Sequence, residues 1–234
     1  MATRKLTIEN ERLWDVSPVW SVLTATERNL VEQNLTVHSF KKNQLIHCEG
    51  DDPTHMMILI KGKVKVFKEG VGSRNQIIRM LKPYEHFGYR AMIANEHYNT
   101  NVCAFEPSIV YMLPKDVFLG LLKSNKDFCY RFLVELATDL GASDARSVNL
   151  TQKHIRGRLA EALLSLKKSY GLEADGATIS MYMSREDLAN LSNMTASNAI
   201  RTLSNFASEE IISIDGRKIK ILDYDRLVKI SRMG

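Results

Sequence analysis

The texture of the chain changes at Pro114, and that change constrains the fold more than any other feature. From Val37 to about Met112 the sequence is written in short alternating or β-branched runs: Gln44 to His47, Met56 to Ile60, Val64 to Phe67, Gln76 to Met80 and Ser108 to Leu113. Turn signals separate them at Glu49-Gly50-Asp51-Asp52-Pro53, Lys61-Gly62, Gly70 to Asn75 and Lys82-Pro83. Short strands punctuated in this way predict an antiparallel barrel or jelly roll. Ahead of them, Thr24-Ala25-Thr26-Glu27 has capping-box spacing and opens a short helix through Leu30 and Val31. After Pro114 the apolar residues recur at helical intervals. Strands first and helices second make an α+β chain.

The helical half begins with a long stripe. Phe132, Leu136, Leu140, Ser143, Ser147 and Leu150 step by 4, 4, 3, 4 and 3, with Gly141, Ala142 and Ala145 beside them. The stripe is either a seam for a second helix or an ordinary core-facing surface. His154 to Tyr170 is a second amphipathic helix, with Leu159, Leu163 and Leu166 on one face. A loop from Gly171 to Gly176 follows, then two short helices, Arg185 to Leu191 and Ala196 to Phe206. A final hairpin pairs Ile211 to Ile214 with Lys218 to Leu222, and its Asp215-Gly216 dipeptide predicts a type I′ turn.

The two short helices form a unit with a recognisable logic. Ser184 and Thr195 each stand where an N-cap is needed, Ala189 is small where a second helix must cross, and Asn193 tolerates the left-handed turn between them. Ala199, Leu203 and Phe206 face inward, which leaves Ala196, Ser197, Ile200 and Arg201 outside. Helix, turn, helix and basic hairpin are the parts of a winged helix-turn-helix. Its expected DNA-binding residues are Ser184, Arg185, Thr195, Ala196, Ser197, Asn198, Ile200 and Arg201, with Arg217, Lys218 and Lys220 meeting phosphates from the wing. Ile200 either touches a thymine methyl or is buried against the wing.

Bulk charge does not make this argument. The net charge of +5 over 234 residues permits a polyanionic partner. From Ser184 to Lys220, however, Arg185, Arg201, Arg217, Lys218 and Lys220 are matched by Glu186, Asp187, Glu209, Glu210 and Asp215. Position has to carry the reading. Met1 to Asp15 has no continuous apolar core, so neither a signal peptide nor a membrane anchor is expected, and a cytoplasmic location follows. Cys48, Cys103 and Cys129 are odd in number and scattered, as free thiols in a reducing compartment would be.

At this point the chain resembles the cyclic-AMP receptor protein/FNR (Crp/Fnr) superfamily of transcription regulators over nearly its whole length. The β-roll motifs are Leu45-Ile46-His47-Cys48-Glu49-Gly50-Asp51, Ile58 to Val66, and Leu81-Lys82-Pro83 through Phe87-Gly88. Ser124-Asn125-Lys126-Asp127 resembles the start of the family's dimer helix, and Ile155 to Ala160 its hinge and first C-terminal helix. The resemblance implies an antiparallel, cyclic-nucleotide-binding-like β-roll sensor over residues 1–126. A dimerisation helix over 127–152 and a winged helix-turn-helix over 153–234 would follow. It also implies a homodimer on double-stranded DNA with half-sites in an inverted repeat, and RNA polymerase as a partner. Phe132, Leu136, Leu140, Ser143 and Ser147 are then the expected dimer contacts.

The departures concern the effector. A cyclic-nucleotide pocket in this family uses a Phe-Gly-Glu turn and an Arg-Ser pair about ten residues on, for the ribose hydroxyl and the phosphate. Here the pocket positions are Phe87, Gly88, Tyr89 and Arg90, then Tyr98, Asn99 and Thr100, with Ser143 and Asp144 on the long helix. With neither glutamate nor arginine in place, cyclic AMP is not the expected effector. An unknown small molecule, or none, is expected, and Arg90 is the cation that would take a phosphate in the alternative. An iron–sulfur sensor needs clustered cysteines near the N-terminus, and none precedes Cys48. His38, His47, His55, His86, His97 and His154 show no ligand spacing. No metal, no cofactor and no catalytic residue is expected. A cupin-type enzyme would need a histidine cluster, and neither a P-loop nor a nucleophile elbow is present.

Overall fold

His55–Lys61 forms a strand, β3, that is buried on both faces. Met56 and Ile58 pack into one apolar cluster, and Met57 and Leu59 into another. Adjacent side chains on a strand point to opposite sides. A continuous apolar run is therefore what a strand between two cores requires. This is a computed structural model, and it describes residues 12–70 and 75–233. Met1 to Glu11 and the centre of the Gly70 to Asn75 turn signal lie outside the described residues.

The chain divides into two compact units, residues 1–68 with 79–142 and residues 69–78 with 143–234. The first begins with helices α1 (Leu13–Val16) and α2 (Ala25–Asn34). The Thr24–Glu27 capping box is formed in both directions. The other strands are β1 (Thr36–Phe40), β2 (Leu45–His47), β4 (Val64–Glu69), β5 (Asn75–Leu81), β6 (His86–Phe87), β7 (Asn101–Ala104) and β8 (Ser108–Pro114). Two four-stranded sheets result, in the orders β1-β8-β3-β6 and β2-β7-β4-β5. Their pairings are antiparallel, as in a jelly roll. Between the sheets lie Phe40, Leu59, Val64, Leu81, Phe87 and Val110. The second cluster joins β3 and β8 to the helices through Trp20, Phe118, Phe128 and Phe132. Helices α3 (Tyr89–Ala94), α4 (Lys115–Ser124) and the long α5 (Lys126–Gln152) complete the run.

The second unit packs α6 (Ile155–Tyr170) against α7 (Arg185–Leu191), α8 (Ala196–Ser208) and α9 (Tyr224–Met233), with β9 (Ile212–Asp215) and β10 (Lys218–Ile221) as a hairpin. Leu159, Leu163 and Leu166 of α6 are all buried, on the face their spacing predicts. Strands β9 and β10 pair Asp215 with Lys218, so the two loop residues are Gly216 and Arg217, one position later than the dipeptide suggested. Only Gly216 has a positive φ, at 55°. A type I′ turn needs positive φ at both loop residues, whereas type II′ needs it at the first. The turn therefore has the II′ pattern, because glycine occupies the first position and arginine the second.

Candidate functional site

Each short helix of the second unit is started by a side chain. The Ser184 hydroxyl accepts from the Asp187 N–H at 3.0 Å and donates to the Asp187 carboxylate at 2.7 Å. The Thr195 hydroxyl accepts from the Asn198 N–H at 3.3 Å. Both hydroxyls are engaged in capping. Asn193 takes the left-handed conformation, φ 49°, and the Met194 N–H bonds back to the buried Ala189 carbonyl.

On α8 the burial is strictly one-sided. Ala199, Thr202, Leu203 and Phe206 are buried, while Ala196, Ser197, Ile200, Arg201, Ser204 and Asn205 are exposed. The exposed set follows the helical period and forms one continuous face. Ile200, at 49% exposed, is not buried against the wing. The Arg201 guanidinium donates to the Asn198 side-chain carbonyl at 2.9 Å, which holds its planar fork along the helix surface.

The hairpin is braced at its turn and along β10. Arg185, at the start of α7, donates from Nη2 to the Gly216 carbonyl at 2.8 Å. Along β10, Lys218 beside the turn lies 4.0 Å from Glu173 and over the Tyr182 ring, and Lys220 lies 3.3 Å from Asp175. Hydrogen bonds from the Thr178 and Ala177 backbone N–H groups and from the Thr178 hydroxyl hold the Asp175 carboxyl well below the usual range. Arg217 stands exposed at the tip. Of the eleven residues expected to meet DNA, the structure gathers Ala196, Ser197, Ile200 and Arg201 on one face and Arg217, Lys218 and the half-buried Lys220 on the hairpin. Ser184, Arg185 and Thr195 are used inside the protein, and Asn198 is half-buried beneath Arg201.

In the β-roll, Phe87 is buried and Gly88 has φ 83°. A Cβ at Gly88 would come 2.7 Å from Met57 Cε and 3.2 Å from the Tyr98 hydroxyl, so the space behind the turn is filled. Tyr98 stacks on His47 with ring centres 3.7 Å apart, and burial pushes its phenol up to about 12. Arg90 points outward and pairs with Glu96 at 2.8 Å. Thr100 is half-exposed, and the Asn99 carbonyl accepts from Lys68 at 3.3 Å. Ser143 and Asp144 are exposed on α5 and belong to the second unit.

The α5 residues that do meet the Gly88–Tyr89 turn lie earlier. The Tyr89 hydroxyl donates to Asp139 at 3.3 Å, and Arg79 pairs with the same carboxylate. Burial, then the charges of Glu135 and Asp139, push the Tyr89 phenol far up. His86 bridges Glu135, at 3.0 Å, to the Trp20 indole, at 2.7 Å. Sequence reasoning missed this set of Trp20, Arg79, His86, Glu135 and Asp139. Its one signal was a pair of carboxylates four residues apart on α5, which would repel each other without a cation between them.

The long stripe divides. Phe132 is 1% exposed and packs on Phe118, Phe128 and Tyr89, and Leu136 packs against the same cluster. Of these two expected dimer contacts, Phe132 is a core residue of its own β-roll and Leu136 is partly buried against that core. Leu140, Ser143 and Ser147 are exposed, and the free apolar face runs instead through Leu133, at 59% exposed, Ala137 and Leu140, at 64%. Among the described residues no three His, Cys, Asp or Glu side chains converge as a metal site, and no helix is long and apolar enough to cross a membrane.

A double-sheeted β-roll, a long helix and a capped, winged helix-turn-helix, in that order, are the architecture of a transcription regulator that joins a cyclic-nucleotide-binding-like domain to a helix-turn-helix domain. Residues 37–125 match the family model of the cyclic nucleotide-binding domain, and residues 157–230 that of the Crp-like helix-turn-helix domain. The chain belongs to the Crp/Fnr superfamily of transcription regulators. It is 21% identical over 194 residues to a CRP-like cAMP-activated global transcriptional regulator of Mycobacterium tuberculosis, covering 82% of this chain and 87% of that one. It is 24% identical over 188 residues to a global nitrogen regulator of Nostoc sp., covering 79% and 84%. FixK2 from Bradyrhizobium japonicum shares the fold with a TM-score of 0.76 at 19% identity, over 84% of this chain and 96% of that one. A putative Crp/Fnr-family regulator from Eubacterium rectale does so with a TM-score of 0.76 at 19% identity, over 92% and 98%.

Proposed function

We propose that the chain is a cytoplasmic, homodimeric, sequence-specific DNA-binding regulator without enzymatic activity, which places α8 in the major groove. The observation that carries this reading is the exposed face of Ala196, Ser197, Ile200 and Arg201, set between a formed N-cap and a braced basic hairpin. Residues in the first two turns of such a helix reach base edges. Arg201 offers a planar fork to guanine O6 and N7, Ser197 adds a weak polar contact, and Ile200 suits a thymine methyl. Arg217 and Lys218 meet phosphates.

In this reading residues 1–126 sense, 127–152 dimerise and 153–234 bind DNA. The α5 face of Leu133, Ala137 and Leu140 is the seam. A twofold dimer binds an inverted repeat with half-sites about 34 Å apart, and RNA polymerase is the protein partner. The effector is a small molecule other than cyclic AMP, or absent. The filling of the Gly88 turn by Tyr98 and Met57 supports this, as does the surface pairing of Arg90 with Glu96, which spends the cation that the alternative, a cyclic-nucleotide-responsive regulator, requires. The M. tuberculosis relative's cAMP activation is therefore not carried over.

The experiment is selection from a random-sequence DNA duplex library with the full-length protein, followed by footprinting of the enriched duplex. Enrichment of an inverted repeat with both half-sites protected is expected. Recovery of unenriched sequence at every salt concentration would overturn the reading.

A further inference from the structure

Arg185 is a cation in a place that does not suit one. It is the first residue of α7, where the positive end of the helix dipole favours the acidic side chains that follow, Glu186 and Asp187. Its guanidinium does not face outward to a phosphate. Nη2 is spent on the Gly216 carbonyl at 2.8 Å, and Nη1 is buried without a hydrogen-bond partner. The accepting carbonyl belongs to the peptide that joins Gly216 to Arg217, so the bond fixes the orientation of the residue carrying the exposed tip cation. A II′ loop has one residue with unusual freedom, and here that residue is the one held.

Resting on the DNA-binding reading above, we propose that Arg185 is a positioning residue: it orients the wing tip so that Arg217, and not Arg185 itself, meets the DNA backbone. The wing is then held by Arg185 at the tip and by Glu173 and Asp175 along β10. A hairpin pre-set in its bound conformation loses less freedom on binding, so its phosphate contact is realised in full.

The test uses full-length protein and, as probe, the duplex enriched by the wild type. Affinity is measured against sodium chloride for wild type, Arg185→Ala, Arg217→Ala and the double variant. Each phosphate contact contributes about one unit to the salt slope. Because a twofold dimer makes the contact once in each half-site, both single variants are expected to lose about two units, and the double variant no more than two, because the contact is the same. Hydrogen exchange on the free protein supplies a second readout. Amides 216 to 218 should exchange faster in Arg185→Ala while those of α6 and α8 stay unchanged. A double variant that loses about four units would make Arg185 a phosphate contact in its own right and overturn the proposal. Unchanged exchange at the tip, or an Arg217→Ala slope equal to wild type, would overturn it too. If the wild type enriches no duplex, the DNA reading is what fails, and tip exchange still shows whether Arg185 holds the wing.

Discussion

Trp20 donates its indole N–H to Nε2 of His86 across 2.7 Å, and this bond fixes the tautomer of a buried imidazole. Indole nitrogen can only donate, so His86 Nε2 must carry the lone pair and Nδ1 the proton. That proton faces the Glu135 carboxylate, 3.0 Å from both oxygens. A one-directional chain thus runs from the segment before α2, through β6, to α5.

Trp20→Phe removes the donor and leaves Nε2 buried and unpaired beside a void. A loss of about 2–4 kcal/mol in β-roll stability is expected. Urea unfolding followed by near-ultraviolet circular dichroism measures it. A change under about 0.5 kcal/mol, within the range of ordinary surface substitutions, would remove the bond from the account of stability.

His47 makes the roll sensitive to acid. Burial lowers its pKa from 6.5 to about 4. Above pH 6.5 the ring is neutral folded or unfolded and adds no pH dependence, whereas between 6.5 and 4 only the unfolded chain takes up the proton. Stability therefore falls with pH across that window, by about 3 kcal/mol in all. His47→Phe keeps the stack on Tyr98 and lacks the titration, so its advantage over wild type in urea midpoint should grow as the pH is lowered. A constant difference would mean that the ring is accessible to protons in the fold.

The seam makes a directional claim about three leucines. Leu133→Asp and Leu140→Asp should shift sedimentation towards monomer with the thermal midpoint of the roll nearly unchanged. Leu136→Asp should instead unfold the roll, since it packs against the Phe128 and Phe132 cluster. Loss of the dimer without loss of roll stability in Leu136→Asp would restore it to the interface.

Arg201→Ala should cost about 1–3 kcal/mol on the enriched duplex and relax discrimination at one guanine per half-site. Competition binding against single-base variants measures both. An even loss across all sequences would make Arg201 a phosphate clamp and place recognition elsewhere on α8.

Calorimetric titration with cyclic AMP and cyclic GMP should show no sub-micromolar binding. Such affinity for either would require Tyr98 to leave its stack on His47 and Arg90 to leave Glu96, and it would reverse the reading of the pocket.

The fold was legible where a residue type answers a local need. The caps Ser184 and Thr195, the left-handed Asn193 and the buried stripe of α6 all sit where their chemistry predicts. The strands β1, β6 and β7 were not among the runs marked out. Asn101–Ala104 is buried at all four positions and shows no alternation, and His86–Phe87 is too short to show a period. The Phe132 stripe had the right period, but at Phe132 and Leu136 the neighbour is the chain's own β-roll. Spacing reports that a helix face is apolar, but not whether the same chain or another one covers it. The Arg79–Asp139 and His86–Glu135 pairs join residues 60 and 49 positions apart, which no local pattern encodes.

The first half of α5 carries two commitments a single residue apart. Phe128 and Phe132 are sealed into the roll, while Cys129 and Leu133, the next residue in each case, are exposed. One residue turns a helix by about 100°. A single insertion or deletion between Phe132 and Leu140 would therefore carry Glu135 and Asp139 out of register with His86 and Arg79, and bring the outer face round towards the core. Length changes of a whole number of heptads would nearly preserve both faces. The lineage of this protein should accordingly tolerate substitutions on the outer face of this stretch far more readily than any change in its length.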